Sequence, residues 1–127
     1  MRKEKTHRTL CVDFDGVISR YEKYLGKGIF GSPVPGIVGV LRSLLRNNWT
    51  IIIYTTRSEE EAIRRYLEEH SVPYHHLNFN PANARLDCSD KKPLADVYLD
   101  DRAITFDGNC TGLLEKIENF KPWHKNV

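Results

Sequence analysis

Two aspartates spaced two residues apart, Asp13 and Asp15, follow an apolar run and stand directly before Gly16. On a continuing strand both carboxylates would lie on one face, and a turn at the glycine would redirect the chain. Two carboxylates this close repel each other, and a hard divalent cation such as Mg²⁺ relieves that repulsion because it prefers oxygen ligands. The alternative is an ordinary strand-to-turn connection, in which Asp and Gly are common. The position directly after an apolar strand favours the cation site.

A second acidic pair, Asp100 and Asp101, also follows an apolar run directly. Such a pair is weak evidence by itself, since adjacent aspartates are frequent in turns. Together with Asp13 and Asp15 it would complete a magnesium site built on carboxylates, with water in the remaining positions. We therefore expect the two acidic pairs to meet around one cation.

Hydroxyl and basic side chains follow the β-branched run that ends at Tyr54, in the order Thr55, Thr56, Arg57. A hydroxyl and nearby backbone N–H groups at a strand end can bind phosphate oxygens, and an arginine adds a charge-assisted contact. The alternative is a helix cap, but Ser58 with Glu61 already has the capping-box pattern. The pattern predicts a functional Thr55, with Thr56 and Arg57 as substrate-binding residues.

A lysine pair, Lys91 and Lys92, lies shortly before the last of these apolar runs. An ammonium near the carboxylates and a phosphate would offset the crowded negative charge. The alternative is ordinary solvated surface, which is the usual environment of such a pair.

The elements that must position these residues alternate along the chain. Helical spacing appears at Ile37, Val40, Leu41, Leu44 and Leu45. A second helix is predicted to begin after Ser58 and a last one after Thr111. Strands are predicted in five segments, of which the first, second and fourth are the clearest: Thr9–Phe14, Thr50–Tyr54, Pro73–Phe79, Asp96–Leu99 and Ile104–Phe106.

This alternation predicts an α/β fold with a mostly parallel central sheet. In such sheets the ligand site lies beyond the carboxyl ends of the strands. The acidic pairs and Thr55 all follow predicted strand ends, so one site is expected to contain them.

Length and composition bound the possibilities further. The chain has 127 residues, of which 40% are apolar, and its formal net charge is +2. We expect a single domain over residues 1–127 with no membrane span. The net charge is too close to neutral to argue, by itself, for a strong nucleic-acid-binding surface. Three cysteines, none at CxxC spacing, favour a reducing, cytoplasmic setting, and we expect no secretory signal in the charged first residues.

Four segments resemble, in order, the four motifs of the haloacid dehalogenase-type (HAD) phosphohydrolases. They are VDFDGV around Asp13, IIIYT ending in Thr55, the lysine of Lys92-Pro93, and VYLDD ending in Asp101. The match covers the catalytic core and hence most of the chain. The first motif is specific and the fourth is moderately specific. The two middle motifs are weak alone, and the order of all four along the chain strengthens the resemblance.

The resemblance implies a Rossmann-like three-layer domain and a mechanism. Asp13 would attack the phosphorus and form an aspartyl-phosphate, and Asp15 would serve as acid and then base. Asp13, the backbone carbonyl of Asp15, and Asp100 would hold Mg²⁺, with Asp101 binding it directly or through water. Thr55 and Lys92, or Lys91 in its place, would stabilise the transferring phosphoryl group.

The motif spacing leaves no room for a cap domain, only for a small flap at residues 17–34. An open site of this kind admits a large phosphorylated substrate such as a nucleic-acid end, or a second subunit of a homo-oligomer covers a small phosphomonoester. Tyr21, Tyr24 and Phe30 on the flap would either stack on a base or pack against the core.

Two rival interpretations stay open. The chain could be a non-catalytic module that kept the fold and the metal site, or a weakly active partner of a nucleic-acid-processing enzyme such as a polynucleotide kinase or ligase. The presence of both Asp13 and Asp15 argues against an inactive module, because loss of either is the simplest route to inactivity.

Overall fold

Four short strands form one sheet, and every neighbouring pair in it is parallel. The structure is a computed structural model that describes residues 7–125. The strands are β1 (Arg8–Asp13), β2 (Trp49–Tyr54), β3 (His76–Leu77) and β4 (Val97–Leu99). Their order across the sheet is β3-β2-β1-β4, so the chain starts in the middle and builds outward on both sides.

The helices are α1 (Ile37–Arg46), α2 (Glu60–Glu69), α3 (Ala82–Arg85) and α4 (Leu113–Glu118). A 3₁₀ turn at Trp123–Lys125, called the Trp123 turn below, follows them. The predicted α/β fold with a parallel sheet is confirmed, and the described residues form one small domain compatible with a Rossmann-like arrangement. No helix in residues 7–125 is long and apolar enough to cross a membrane.

The two long helices cover one face of the sheet. Ile37 and Leu41 of α1 and Ile63 and Leu67 of α2 belong to the same buried cluster as Val12 of β1. Alternate strand residues point to this face because side chains along a strand alternate in direction. The resulting cluster also contains Leu10, Phe14, Ile18, Ile51, Ile53, Tyr66, Val72 and Leu77.

The second face is covered mainly by the segment at 80–94, which contains α3. Cys11 and Ile52, which pair across β1 and β2, are buried on this side. Pro93 is fully buried, and its carbonyl accepts a hydrogen bond from the Tyr98 hydroxyl. The buried Asn83 side chain ties the segment together through the backbone of Ser89, Lys92 and Leu94. This polar segment, in which the sequence predicted no helix or strand, is therefore a covering layer.

Several predicted boundaries and environments are wrong. Ile104–Phe106 is not a strand, and the third strand is only His76–Leu77. Helix α2 begins at Glu60 without a side-chain cap, so the capping box of Ser58 and Glu61 does not form. Strand β4 is exposed along its length although its residues are apolar, because it lies at the edge of the sheet beside β1.

The flap at residues 17–34 contains only isolated bridges, from Ser19 to Asp15 and to Pro33. Phe30 packs edge-on against Phe14 and Tyr66, so this aromatic ring belongs to the core side of the flap. In contrast, Tyr24 is 58% exposed. The expected small flap is therefore present, with one of its aromatic residues acting as an anchor.

Candidate functional site

The acidic residues meet because their strands are neighbours. Strand β1 ends at Asp13, and β4 pairs with it in a register that places Val12 opposite Leu99. Asp100 and Asp101 follow Leu99 directly, at the same edge of the sheet. One carboxylate oxygen from each of Asp13, Asp100 and Asp101 lies within 4.8 Å of the others. Parallel pairing thus concentrates three acids at one point.

Mutual repulsion and burial perturb this cluster strongly. Burial, a hydrogen bond with Asp101 and the negative charges of Asp100 and Asp101 raise the pKa of Asp13 to about 8, although the Phe14 N–H opposes the shift. Burial also acts to raise the pKa of Asp101, but hydrogen bonds with Asp13 and His124 outweigh it and lower that pKa. At neutral pH a proton on Asp13, donated to Asp101, offsets the repulsion when no cation does so.

The donor set fits a hard divalent cation. All three groups are carboxylates, as Mg²⁺ prefers, and exposed Asp100 leaves one side open for water. The Asp101 side chain is 1% exposed, yet no nitrogen or hydroxyl donor among the described residues binds its Oδ1 atom. A buried carboxylate oxygen without a donor is costly. A cation or a shared proton removes that cost.

Asp15 lies beside this cluster but its carboxylate is directed elsewhere. The Arg57 Nε–H donates to Asp15 Oδ2 over 2.6 Å. Asp15 Oδ1 is buried and has no partner among the described residues. The expected metal contact through the Asp15 backbone carbonyl stays a prediction, since the acidic cluster involves only the other three side chains.

A cavity of about 360 Å³ opens at this edge of the sheet. It brings together most of the residues predicted from the sequence to act in one site. Its lining consists of Asp13, Asp15, Tyr21, Thr55, Thr56, Asp100 and Arg102. The cavity is large enough for a phosphate group together with part of the molecule that carries it.

Thr55 is held by two hydrogen bonds that leave its hydroxyl hydrogen available. Its backbone N–H donates to the Asn78 side chain over 2.8 Å, and its Oγ1 accepts from the Arg57 backbone N–H over 3.1 Å. A hydroxyl oxygen that accepts one bond can still donate another. Thr55 can therefore present a donor to an anion in the cavity.

Arg57 is engaged with the protein rather than with the cavity. Its guanidinium pairs with Asp15 and Glu59, and it donates to the flap carbonyls of Gly26 and Ile29. It also lies 4.7 Å from the centre of the Phe30 ring, and its side chain is only 6% exposed. A direct contact between Arg57 and substrate stays a prediction, but the geometry makes Arg57 the residue that joins the flap to Asp15.

The lysine pair is also placed outside the cavity. The Lys92 ammonium lies 4.6 Å from the centre of the Tyr98 ring, on the exposed edge strand, and Lys92 is not among the lining residues. The Lys91 carbonyl accepts a hydrogen bond from the Tyr54 hydroxyl. A phosphate-stabilising role for either lysine stays a prediction.

The sequence did not predict that the Trp123 turn contacts the acidic cluster. His124 Nε2 lies 2.8 Å from Asp101 Oδ2, and the Trp123 indole N–H donates to the Gly16 carbonyl over 2.7 Å. Arg102, which lines the cavity, was missed too, although its place directly after the second acidic pair was a usable signal. For His124 no local signal exists, because its partner lies 23 residues earlier in the chain.

Two solved structures resemble this fold. A conserved protein of Bacteroides thetaiotaomicron is 23% identical, with a TM-score of 0.61, over 93% of this chain and 95% of its own. A chain of the Pnkp1/Rnl/Hen1 RNA repair complex is 18% identical, with a TM-score of 0.54, over 76% of this chain and 36% of its own. At these identities the likeness shows the fold alone. No protein-family model and no curated protein matches the sequence.

Proposed function

We propose that this protein is a magnesium-dependent phosphohydrolase of the HAD type that cleaves phosphomonoesters. The observation that carries the proposal is the convergence of Asp13, Asp15 and Thr55 on one cavity beside a three-carboxylate cluster. A nucleophile, a proton carrier and an anion-binding hydroxyl are the groups that this reaction requires of the protein.

Asp13, Asp100 and Asp101 would hold the cation. When bound, Mg²⁺ would neutralise these acids and polarise a phosphoryl oxygen. The fit rests on the oxygen-only donor set and on the buried, unpartnered Oδ1 of Asp101.

Asp13 would act as the nucleophile. Its Oδ1 accepts the Phe14 N–H over 2.9 Å, which fixes the carboxylate and leaves the second oxygen to attack phosphorus. The new bond joins this oxygen to phosphorus while the ester P–O bond breaks, giving an aspartyl-phosphate and an alcohol. Water then attacks the phosphorus, and the Asp13 carboxylate leaves with its electron pair, so that inorganic phosphate is released.

Asp15 would carry the proton in both halves of the reaction. Arg57 orients it through Oδ2, and Oδ1 is left without a partner among residues 7–125. From this position Asp15 gives a proton to the leaving oxygen and later takes one from the attacking water. Thr55 would donate its hydroxyl hydrogen to a non-bridging phosphoryl oxygen, where negative charge accumulates.

The test is a substrate screen on purified protein with and without Mg²⁺. It includes p-nitrophenyl phosphate, nucleotides, sugar phosphates, and oligonucleotides phosphorylated at the 3′ or the 5′ end. We expect turnover that EDTA abolishes. The Asp13→Asn variant should lose turnover by a factor on the order of 10⁴ or more while its circular dichroism is unchanged.

The control is Asp90→Asn, the same chemical change at an exposed acid outside the cavity lining. It should keep full activity. Turnover that survives in Asp13→Asn would refute the nucleophile assignment, and a wild-type protein that binds Mg²⁺ without hydrolysing any of these substrates would refute the enzymatic proposal.

One of the structures with a similar fold belongs to an RNA repair complex, and this context prompts a second candidate function. In this reading the protein is a non-catalytic or weakly active partner of a nucleic-acid-processing enzyme. The same screen separates the two functions. If the protein hydrolyses oligonucleotide ends in preference to the other substrates, it is a phosphohydrolase whose substrate is a nucleic-acid end. Cation binding without turnover would favour the partner role.

A further inference from the structure

The Trp123 turn packs against the acidic cluster from outside the cavity. Three contacts attach it: the Trp123 indole to the Gly16 carbonyl, His124 to Asp101, and the Lys125 ammonium to the Glu22 carbonyl of the flap. These contacts reach the turn after β1, the turn after β4 and the flap, each of which contributes residues to the cavity lining. The turn is therefore placed to influence the site without lining it.

Within this turn, His124 is buried together with its partner. The exposed fractions of the His124 and Asp101 side chains are 3% and 1%. Tyr21 packs edge-on against the imidazole ring. A carboxylate oxygen accepts a hydrogen bond and an imidazole N–H donates one, so His124 Nε2 is the donor to Asp101 Oδ2 over 2.8 Å. A short, dry hydrogen bond to a charged acceptor holds that acceptor in one orientation.

Space around Asp101 is limited on the side of the first acidic turn as well. A Cβ atom placed on Gly16 would overlap Asp101 Oδ2 and approach His124 Nε2 to 3.2 Å. Gly16 also has a φ of +87°, which glycine adopts without cost. Asp101 Oδ2 thus occupies a slot between Gly16 and His124, while Oδ1 is buried and without a partner.

We propose that His124 is a positioning residue, which holds Asp101 by its Oδ2 atom so that Oδ1 is presented to Asp13 and to a bound cation. The inference rests on the proposed function, because it assigns His124 a role in the same site. Removal of a hydrogen-bond partner that orients a metal-binding carboxylate commonly lowers the affinity for the metal. The Trp123 turn is then a structural part of the site.

The experiment measures Mn²⁺ affinity by the electron paramagnetic resonance signal of free Mn²⁺ in the full chain. His124→Gln places an amide N–H near the position of Nε2 and should keep the affinity within about threefold of wild type. His124→Leu and His124→Asn should weaken the Mn²⁺ affinity roughly 10- to 100-fold. Leucine has no hydrogen-bond donor, and the amide of asparagine lies too close to the backbone to reach Asp101. His70→Leu, the same change at the end of α2, should leave the Mn²⁺ affinity unchanged.

Urea unfolding of each variant in EDTA shows which variants are folded. Mn²⁺ affinity is compared only among those, so that a loss of affinity reflects the orientation of Asp101 and not a loss of folding. If His124→Gln binds Mn²⁺ as weakly as His124→Leu, or if all the variants bind like wild type, the positioning role is refuted. Asp13→Asn is the reference for the cation site. Affinity insensitive to Asp13→Asn would refute the proposed cation site itself, whereas a flat His124 series with a sensitive Asp13 refutes only this inference.

Discussion

Asp13 has the most perturbed environment of the candidate site. Two further carboxylates approach it at the end of parallel strands, and burial limits the water that could solvate all three charges. Its pKa, raised to about 8, means that a proton would compete with the proposed cation for the same place. Cation binding near neutral pH should therefore release a proton.

The raised pKa of Asp13 predicts an unusual pH dependence of stability. Between about pH 4 and pH 8 the native state holds a proton that the unfolded state has lost. In EDTA, the free energy of unfolding should therefore fall as the pH rises through this window. With saturating Mg²⁺ the cation takes the place of the proton, so the fall should shrink or vanish. Urea denaturation at about pH 5 and about pH 8.5 measures both.

The matched control is Asp13→Asn, which removes the titrating group and keeps the shape of the side chain. Its stability in EDTA should change less across the window than that of the wild type. A wild-type stability in EDTA that rises steadily from about pH 5 to about pH 8.5 would contradict the environment described for Asp13.

Among the individual site residues, the sequence predicted those that are positioned by the end of a strand. Asp13, Asp100 and Thr55 each follow an apolar run, and parallel pairing was sufficient to bring them together. Side-chain direction was not predictable in the same way. Arg57 turns toward Asp15 and the flap, and Lys92 lies over Tyr98, because local partners decided where those long side chains went.

Among the elements, the flap is attached to the rest of the molecule by a few side chains, which include Arg57, Tyr66 and Lys125. Arg57 joins it through the carbonyls of Gly26 and Ile29, and Glu59 accepts a further bond from the Gly28 N–H. The flap contains only isolated bridges of its own, so these contacts and the Phe30 anchor hold it against α2 and the core. Its local stability should depend on the guanidinium of Arg57.

Limited proteolysis tests this dependence, since the flap carries three exposed trypsin sites, Arg20, Lys23 and Lys27. The Arg57→Ala variant should be cut there roughly tenfold faster or more than wild type, because local opening costs less free energy. Mass spectrometry of early fragments identifies the cleaved bonds. Arg64→Ala, an exposed position on α2, should be cut at the wild-type rate, and equal rates in all three proteins would show that Arg57 does not hold the flap.

Element prediction succeeded where hydrophobic periodicity was long and failed where it was short. Helix α1 has a clear helical period, strand β2 has a continuous β-branched run, and the two pack against each other. Ile104–Phe106 has an apolar pattern too short to distinguish a strand from an extended loop, and no sheet neighbour was available to it. The segment at 80–94 has no period because Asn83 and backbone carbonyls hold it together.

At the scale of the whole molecule, the main cluster of buried hydrophobic residues in 7–125 lies on one face of the sheet. It lies between the sheet and helices α1 and α2, whereas α4 has no buried residue and β4 is exposed. The alternation of strands and helices in the sequence was sufficient to predict the α/β class. It could not show that the last helix stays outside the core, because α4 carries the same apolar spacing as a packed helix.

A pair of matched substitutions tests this distribution. Leu41→Ala, at a fully buried site of α1, should lower the free energy of unfolding by about 2–5 kcal/mol through lost burial and a residual cavity. Leu114→Ala, at a site of α4 that is 66% exposed, should change it by less than about 0.5 kcal/mol. Urea denaturation measures both, and comparable losses would mean that α4 is packed in solution.

The hydrogen bond from Trp123 to Gly16 joins residues 107 positions apart. Closing so long a loop carries an entropic cost that only a nearly folded chain offsets. During synthesis on the ribosome, Asp13 emerges early but must wait for residues 123–125 before its surroundings are complete. Assembly of the acidic centre is thus a late folding event, and a nascent chain should not acquire its final affinity for a divalent cation until that closure has occurred.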